Sequence, residues 1–399
     1  MSRHDPGVRL QETTDSDQPP GVGAGCLRRE VDRLEWRLGE PGEPAVLVED
    51  FLAGYGLPVR DLARLSRHRT DDRICGAALL VSAAAGAQMI GAHSPASPAP
   101  AVPDLVAVVY EHVARAPTAT PYPAGSTTEW SLGRWRPSWS ATRHAEAVAA
   151  VREAIARGDV YQVNVVGHAS AAFRGDPLPA LRRAAALIGA RYGGIHRGDG
   201  WALACASPET LVEVAAGRVV TRPIKGTRRA TAAGRAQLLA SPKERAEHVM
   251  IVDLERNDLA MIATTGSVRV DELYAVRRWC GLWQAESVIS GQVVPGTGLA
   301  ALLRAVSPGG SVTGAPKLAA LGLIAGLEPV GRGPSMGALG WVAPDRIDLG
   351  LSIRTVAADA HRLHLWAGGG VTWGSEPTAE VSEAASKAAP LRAALAGRG

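Results

Sequence analysis

The chain has few cysteines, no long apolar run and no concentration of one charge, and each shortage removes a class of protein. Its four cysteines, Cys26, Cys75, Cys205 and Cys280, are widely separated and form no CxxC pair. That excludes a dense disulfide framework and leaves no zinc-site spacing. No window reaches the roughly 18 apolar residues that a membrane-spanning helix needs. The opening stretch, MSRHDPGVRLQETTDSDQPP, lacks the apolar segment of a signal peptide, so a cytoplasmic location without membrane attachment is expected. The formal net charge is only +4 over 399 residues, and Lys and Arg are interspersed with Asp and Glu. There is no basic stripe of the kind nucleic-acid binding requires. Glycine-rich turns occur, but none has Walker A or dinucleotide-fingerprint spacing.

What remains is a globular composition, 46% hydrophobic and 21% charged, in a length that can bury a large core. Residues 1–24 are polar and rich in Asp, Pro and Gly, which predicts a disordered tail. Residues 25–139 read as a shortened N-terminal region of mixed strand and helix, with loops at 93–103 and from about 116 to 142. The chemistry lies in residues 140–399. There, 144–157 has helical spacing, Gly158 ends that helix, and 160–166 reads as a strand.

Six blocks carry chemical interest. In Thr221-Arg222-Pro223-Ile224-Lys225-Gly226-Thr227, an apolar neighbour and a Gly-Thr turn make Lys225 a candidate desolvated amine nucleophile, although most lysines are solvated surface charges. Gly158–Asn164 would place Gln162 on a strand, where its amide needs partners. In Ala206-Ser207-Pro208-Glu209-Thr210, Glu209 is either a surface acid or, if it faces a pocket, a general acid. The run from Lys243 to Asp258 fits a half-buried helix with acids on different faces. Ser307–Lys317 sets glycines before an apolar helix, an arrangement that suits an anion and tips Lys317 toward carboxylate binding. After Gly368-Gly369-Gly370, the residues Glu380, Glu383 and Lys387 share one helix face. They form either a solvated salt-bridge ladder or a Mg²⁺ site.

Taken in order, GDVYQVNV, ASPETLVEV, TRPIKGTRR, ERAEHVMIVDLERNDLA, SPGGSVTGAPK, LGLSIRTV and AGGGVTWGSEPTAEVSEAASKAAPL resemble the chorismate-utilising enzymes. That family includes anthranilate, aminodeoxychorismate, isochorismate and salicylate synthases, and the likeness covers roughly residues 140–396. It implies an α+β fold of two packed antiparallel β-sheets flanked by helices. It also implies a site. Glu247 and Glu383 match the carboxylates that bind Mg²⁺, with Glu380 close by in the metal's outer shell. Arg354, Lys387 and the amides of Gly314, Gly368 and Gly370, with Lys317 and Thr227 beside them, match those that bind the carboxylates of chorismate. Glu209 matches the general acid that helps the C4 hydroxyl leave.

Two positions discriminate within the family. Water-adding members have lysine where this chain has Gln162, so the resemblance points to ammonia as nucleophile. Anthranilate synthases have alanine where this chain has Lys225, and the Pro-Ile-Lys-Gly-Thr form resembles the aminodeoxychorismate synthase branch, component I. The implied activity is amination of chorismate to 4-amino-4-deoxychorismate for 4-aminobenzoate and folate synthesis. No Gly-x-Cys-x-Gly elbow surrounds any cysteine, so a glutamine amidotransferase on a separate chain is the implied ammonia source. A downstream aminodeoxychorismate lyase is implied as well. Gln284 and Ser335 stand where the family usually has His and Tyr. Amination at C2, as in anthranilate or aminodeoxyisochorismate synthesis, and a decayed scaffold for the glutaminase are the alternatives.

Overall fold

The run Ile74–Val81 is apolar without alternation, the pattern of a strand covered on both faces, and all but its first residue are buried. It pairs antiparallel with Leu105–His112 on one side and Ala338–Val342 on the other. This strand joins residues far apart in sequence. The computed structural model describes residues 28–65, 73–113, 130–279 and 282–397. The tail predicted at 1–24, Cys26, Cys280 and most of the loop predicted at 116–142 lie outside them.

Among the described residues there are two antiparallel sheets. The larger runs from Arg28–Trp36 through Leu105–His112, Ile74–Val81, Ala338–Val342, Arg346–Leu351, Thr210–Ala215, Arg218–Arg222 and Leu282–Gln292 to Ile224–Arg229. Arg269–Trp279 also pairs with Leu282–Gln292. The smaller runs Gly314–Ala315, Gln162–Arg174, Arg362–Val371, Thr355–Ala358, Trp201–Ser207, Tyr192–Gly198. Alternation sorts the faces of the smaller sheet: Trp366 and Val166 enter the principal core with Leu79, Leu339 and Leu349 of the larger sheet. The neighbouring Leu365 packs instead with Leu391 and Leu395 of the helix Pro377–Leu395. The fold is therefore the expected α+β arrangement of two packed antiparallel sheets with helices against them.

The predicted helix at 144–157 is Ala141–Arg157, capped by the Ser140 hydroxyl and ended by Gly158 at φ 84°. The predicted strand starts two residues late and runs on, as Gln162–Arg174. The segment 93–103 is irregular as expected, but Ala99 and Val102 are buried. Cys75 and Cys205 are buried free thiols. No helix among the described residues is long and apolar enough to cross a membrane.

Candidate active site

Lys225 reaches its position through a defect in its strand. Ile224–Arg229 pairs with Leu282–Gln292, and the register shifts between Lys225 and Thr227. The extra residue is Gly226, at φ +70°, where an added Cβ would lie 2.5 Å from Leu238 Cδ1. Only glycine fits such a bulge, which bends the strand and re-aims its side chains. Lys225 Nζ then donates to the Ser311 carbonyl at 3.4 Å and makes no ion pair among the described residues. Ser311 lies in the short turn Gly310–Val312, beside the smaller sheet. Its carbonyl also accepts from Asn164 Nδ2 at 3.5 Å. The cleft thus joins an edge strand of one sheet to the end of the other.

Glu209 enters from the turn before Thr210–Ala215 and is buried. Burial raises its pKa, against the opposing fields of Lys225 and Lys387. The Ser311 hydroxyl and the Ile224 backbone oppose that rise by hydrogen-bonding the Glu209 carboxylate, whereas two buried amide oxygens in this region, Gln162 Oε1 and Asn164 Oδ1, have no hydrogen-bond partner. Arg354 lies half-buried at φ 50° just before Thr355–Ala358, and its guanidinium has no ion pair or hydrogen bond among the described residues. Buried polar groups are normally satisfied, so two unpartnered amide oxygens suit a ligand's hydroxyl groups, and two unpaired cations suit its negative charge.

Three glycines line the floor for steric reasons. A Cβ on Gly314 would stand 2.1 Å from the Gln162 carbonyl, and one on Gly368 would stand 2.0 Å from the Val165 carbonyl. On Gly370 it would collide with Gln162 Nε2 at 2.3 Å. At Gly369 it would sit 3.2 Å from Glu380 Oε2, 3.4 Å from Lys387 Nζ and 3.6 Å from Glu383 Oε1. The missing side chain leaves these three groups around one open spot, so the shared face predicted for them is present. Lys387 is held there by Glu383 at 2.7 Å and by the Gly368 carbonyl at 3.0 Å. Glu247 approaches from the helix Pro242–Ala260, with Thr372 Oγ1 3.5 Å from its Oε1. No three His, Cys, Asp or Glu side chains among the described residues stand close enough to enclose a metal by themselves. A hard cation such as Mg²⁺ needs only one or two carboxylates when waters and ligand oxygens complete its shell, and this all-oxygen set fits it.

The helix Pro242–Ala260 turns two of its acids into the interior. Glu255 and Asp258 are 7% and 9% exposed. Glu255 accepts from Thr221 Oγ1 at 2.5 Å, and burial pushes its pKa up to about 8, with Glu209 and Asp258 adding to the rise. Lys317 pairs with Asp258 at 2.8 Å and donates to the Ala305 carbonyl at 3.4 Å, so its ammonium faces this buried acid. His248, fully buried, is hydrogen-bonded through Nε2 to Ser287 Oγ at 2.5 Å, and burial lowers its pKa to about 4, helped by Lys225. Thr227 is exposed, opposite Gln284 in the register. Ser335 is fully buried and donates to the Ser352 carbonyl at 3.3 Å.

A folded acid with a raised pKa binds more protons than the unfolded chain does between the two pKa values. Its contribution to stability is complete at low pH and is lost as pH rises through the folded value. For Glu255 the window runs from about 4.5 to about 8. Glu255→Gln is therefore expected to flatten the fall in melting temperature across that window. Parallel curves for parent and variant would mean that Glu255 is ionised throughout.

Residues 76–393 match the sequence pattern of the chorismate binding enzyme family. The chain belongs to that family. The match begins well before the first resemblance block, within the larger sheet's Ile74–Val81 strand. Aminodeoxychorismate synthase component 1 of Klebsiella aerogenes is 36% identical over 260 residues, covering 63% of this chain and 58% of that protein. Anthranilate synthase component 1 of Streptomyces coelicolor is 36% identical over 284 residues, covering 69% and 55%. The chain thus spans little more than half the length of these relatives. The crystal structure of anthranilate synthase component I from Streptococcus pneumoniae superposes with a TM-score of 0.75 at 24% identity, covering 98% of this chain and 95% of that one.

Membership makes this a chorismate-utilising enzyme fold, and the blocks that carry the resemblance converge on the cleft. Glu255, Asp258, Asn164, Ser311 and His248 were not singled out as site residues. One signal was available: the chain has only four lysines, and Lys225, Lys317 and Lys387 are three of them.

Proposed function

We propose that this enzyme replaces the C4 hydroxyl of chorismate with an amine, forming 4-amino-4-deoxychorismate and water. The observation that carries the reading is an unpaired lysine, Lys225, beside a buried acid, Glu209, whose pKa is raised. In this reading the neutral Lys225 amine attacks ring C2, the double bond shifts, and the C4 hydroxyl leaves as water with the Glu209 proton. Ammonia then attacks C4, the double bond shifts back, and the Lys225 amine is expelled. The proton carried by the new ammonium group returns Glu209 to its acid form. Two displacements leave the amine on the face the hydroxyl occupied.

Arg354, Lys387 and the amides of Gly314, Gly368 and Gly370 would bind the carboxylates of the substrate. Glu247, Glu380 and Glu383 would hold Mg²⁺, whose charge would bind a ring carboxylate. Gln162 supplies no base, which is consistent with ammonia and not water as nucleophile. The likeness to proteins named component 1 supports a separate glutaminase subunit as ammonia source. A lyase acting on the product would complete 4-aminobenzoate for folate synthesis.

The test is incubation with chorismate, Mg²⁺ and ammonium at slightly alkaline pH, followed by aminodeoxychorismate lyase and mass spectrometry. Release of 4-aminobenzoate supports the reading. Chorismate consumed without its release means amination at C2, a reading favoured by the equal identity to anthranilate synthase relatives. Chorismate left untouched by saturating ammonium means a scaffold. Glu209→Gln is expected to lower kcat by about 100- to 10,000-fold with little change in KM, measured by ammonia-dependent chorismate loss.

A further inference from the structure

A second cavity, of about 250 Å³, lies behind the cleft. Leu365 and Ala367 line it, whereas Trp366 between them enters the principal core, so it is on the opposite face of the smaller sheet. Its other walls come from the helices Pro377–Leu395 and Ala141–Arg157 and the segment before the latter. Trp139 stacks on His144, with ring centroids 4.7 Å apart and planes at 21°. Arg392 lies over Trp135, with 5.4 Å to the ring centroid. Ala385 and Ala388 give the helix side a smooth apolar floor.

Two polar groups at this cavity are unspent. Arg392 Nε is buried without a hydrogen-bond partner, and the guanidinium makes no ion pair among the described residues. His144 is 6% exposed, and its ring has no hydrogen bond among them. Among the described residues no acidic side chain lines the cavity. His168, in the wall, is fixed by Ser138 Oγ at 2.6 Å and His364 Nδ1 at 3.2 Å, and His364 in turn by Asp359 at 3.0 Å. A buried guanidinium nitrogen without a partner is costly, and a carboxylate would satisfy it with a charge-assisted bond. The volume suits one substituted ring, since an apolar cavity of about 150 Å³ holds benzene.

We propose that this cavity binds a small aromatic carboxylate, with its ring between the Trp139–His144 stack and the alanine face of Pro377–Leu395 and its carboxylate on Arg392. The site is separate from the cleft but shares the helix that presents Glu380, Glu383 and Lys387. A ligand there braces that helix against the sheet.

The test is isothermal titration of benzoate into the full chain, with benzamide as the uncharged probe. Arg354→Met serves as control for binding in the cleft. Saturable benzoate binding is expected in the millimolar range or tighter, weaker for benzamide and unchanged in Arg354→Met. It should weaken at least about tenfold in Arg392→Met, the loss of one charged bond. Filling the cavity with Ala385→Trp should abolish it. If circular dichroism finds that variant unfolded, Arg392→Met decides alone. No saturable heat overturns the proposal. So does binding lost in Arg354→Met but kept in Arg392→Met.

Discussion

Lys225→Ala is expected to reduce ammonia-dependent consumption of chorismate at least about a thousand-fold, the order of loss that follows removal of a covalent nucleophile. Among the described residues Lys225 Nζ has one hydrogen bond, to the Ser311 carbonyl at 3.4 Å, and no carboxylate pairs with it. A structural lysine of this burial would be held as Lys317 is, by an acid at 2.8 Å. Because Lys225 carries no such pair, its removal should cost little stability. The melting temperature of the variant should stay within a few degrees of the parent while turnover disappears. Mass spectrometry of the intact chain during turnover gives a second readout, a covalent adduct present in the parent and missing in Lys225→Ala. A variant that keeps a tenth or more of parental turnover would remove Lys225 from the chemistry and leave Glu209 acting on a direct displacement.

The largest expected loss of stability lies under the cleft, at Arg332. Its guanidinium is 5% exposed and pairs with Glu328 through Nη2 at 2.6 Å and Nε at 2.9 Å. It also donates to the Val312 carbonyl at 2.5 Å and the Asn164 carbonyl at 2.8 Å, while Glu328 Oε1 accepts from the Val166 amide at 2.9 Å. One buried pair therefore ties the turn that holds Ser311 to the strand that holds Gln162 and Asn164. Breaking such a pair from one side strands the other charge, at about 3–5 kcal/mol. Arg332→Ala should lower the free energy of unfolding by that amount, read from urea titration. Replacing both partners by methionine removes the stranded charge, yet it leaves two carbonyls and one amide without partners. The double variant should therefore recover only part of the loss. A single variant within about 1 kcal/mol of the parent would mean that water replaces the guanidinium in full.

Both predictions bear on what could be read from the chain before it was folded. The helix ending at Gly158, the strand that follows it and the shared face of Glu380, Glu383 and Lys387 follow from local periodicity and local backbone conformation, which sequence spacing encodes directly. The ordered blocks were enough to indicate the family and, through it, two packed sheets. Arg332 lay in none of them, and its four-residue spacing from Glu328 could equally have been an ordinary surface pair.

What only the tertiary structure decided is which charges lose their water. Spacing showed only a half-buried helix around Glu255 and Asp258, and packing against Thr221 and Lys317 made them interior acids. Lys317 looked free for a substrate and is paired inside the fold. The contact that builds the cleft joins Lys225 to Ser311, 86 residues away. The reason is physical: desolvation and pairing depend on what the rest of the chain brings to a side chain, and no local spacing records that. The sequence by itself determined the family and the candidate chemistry; the packing of the two sheets decided which of its charges are left unpaired to meet a ligand.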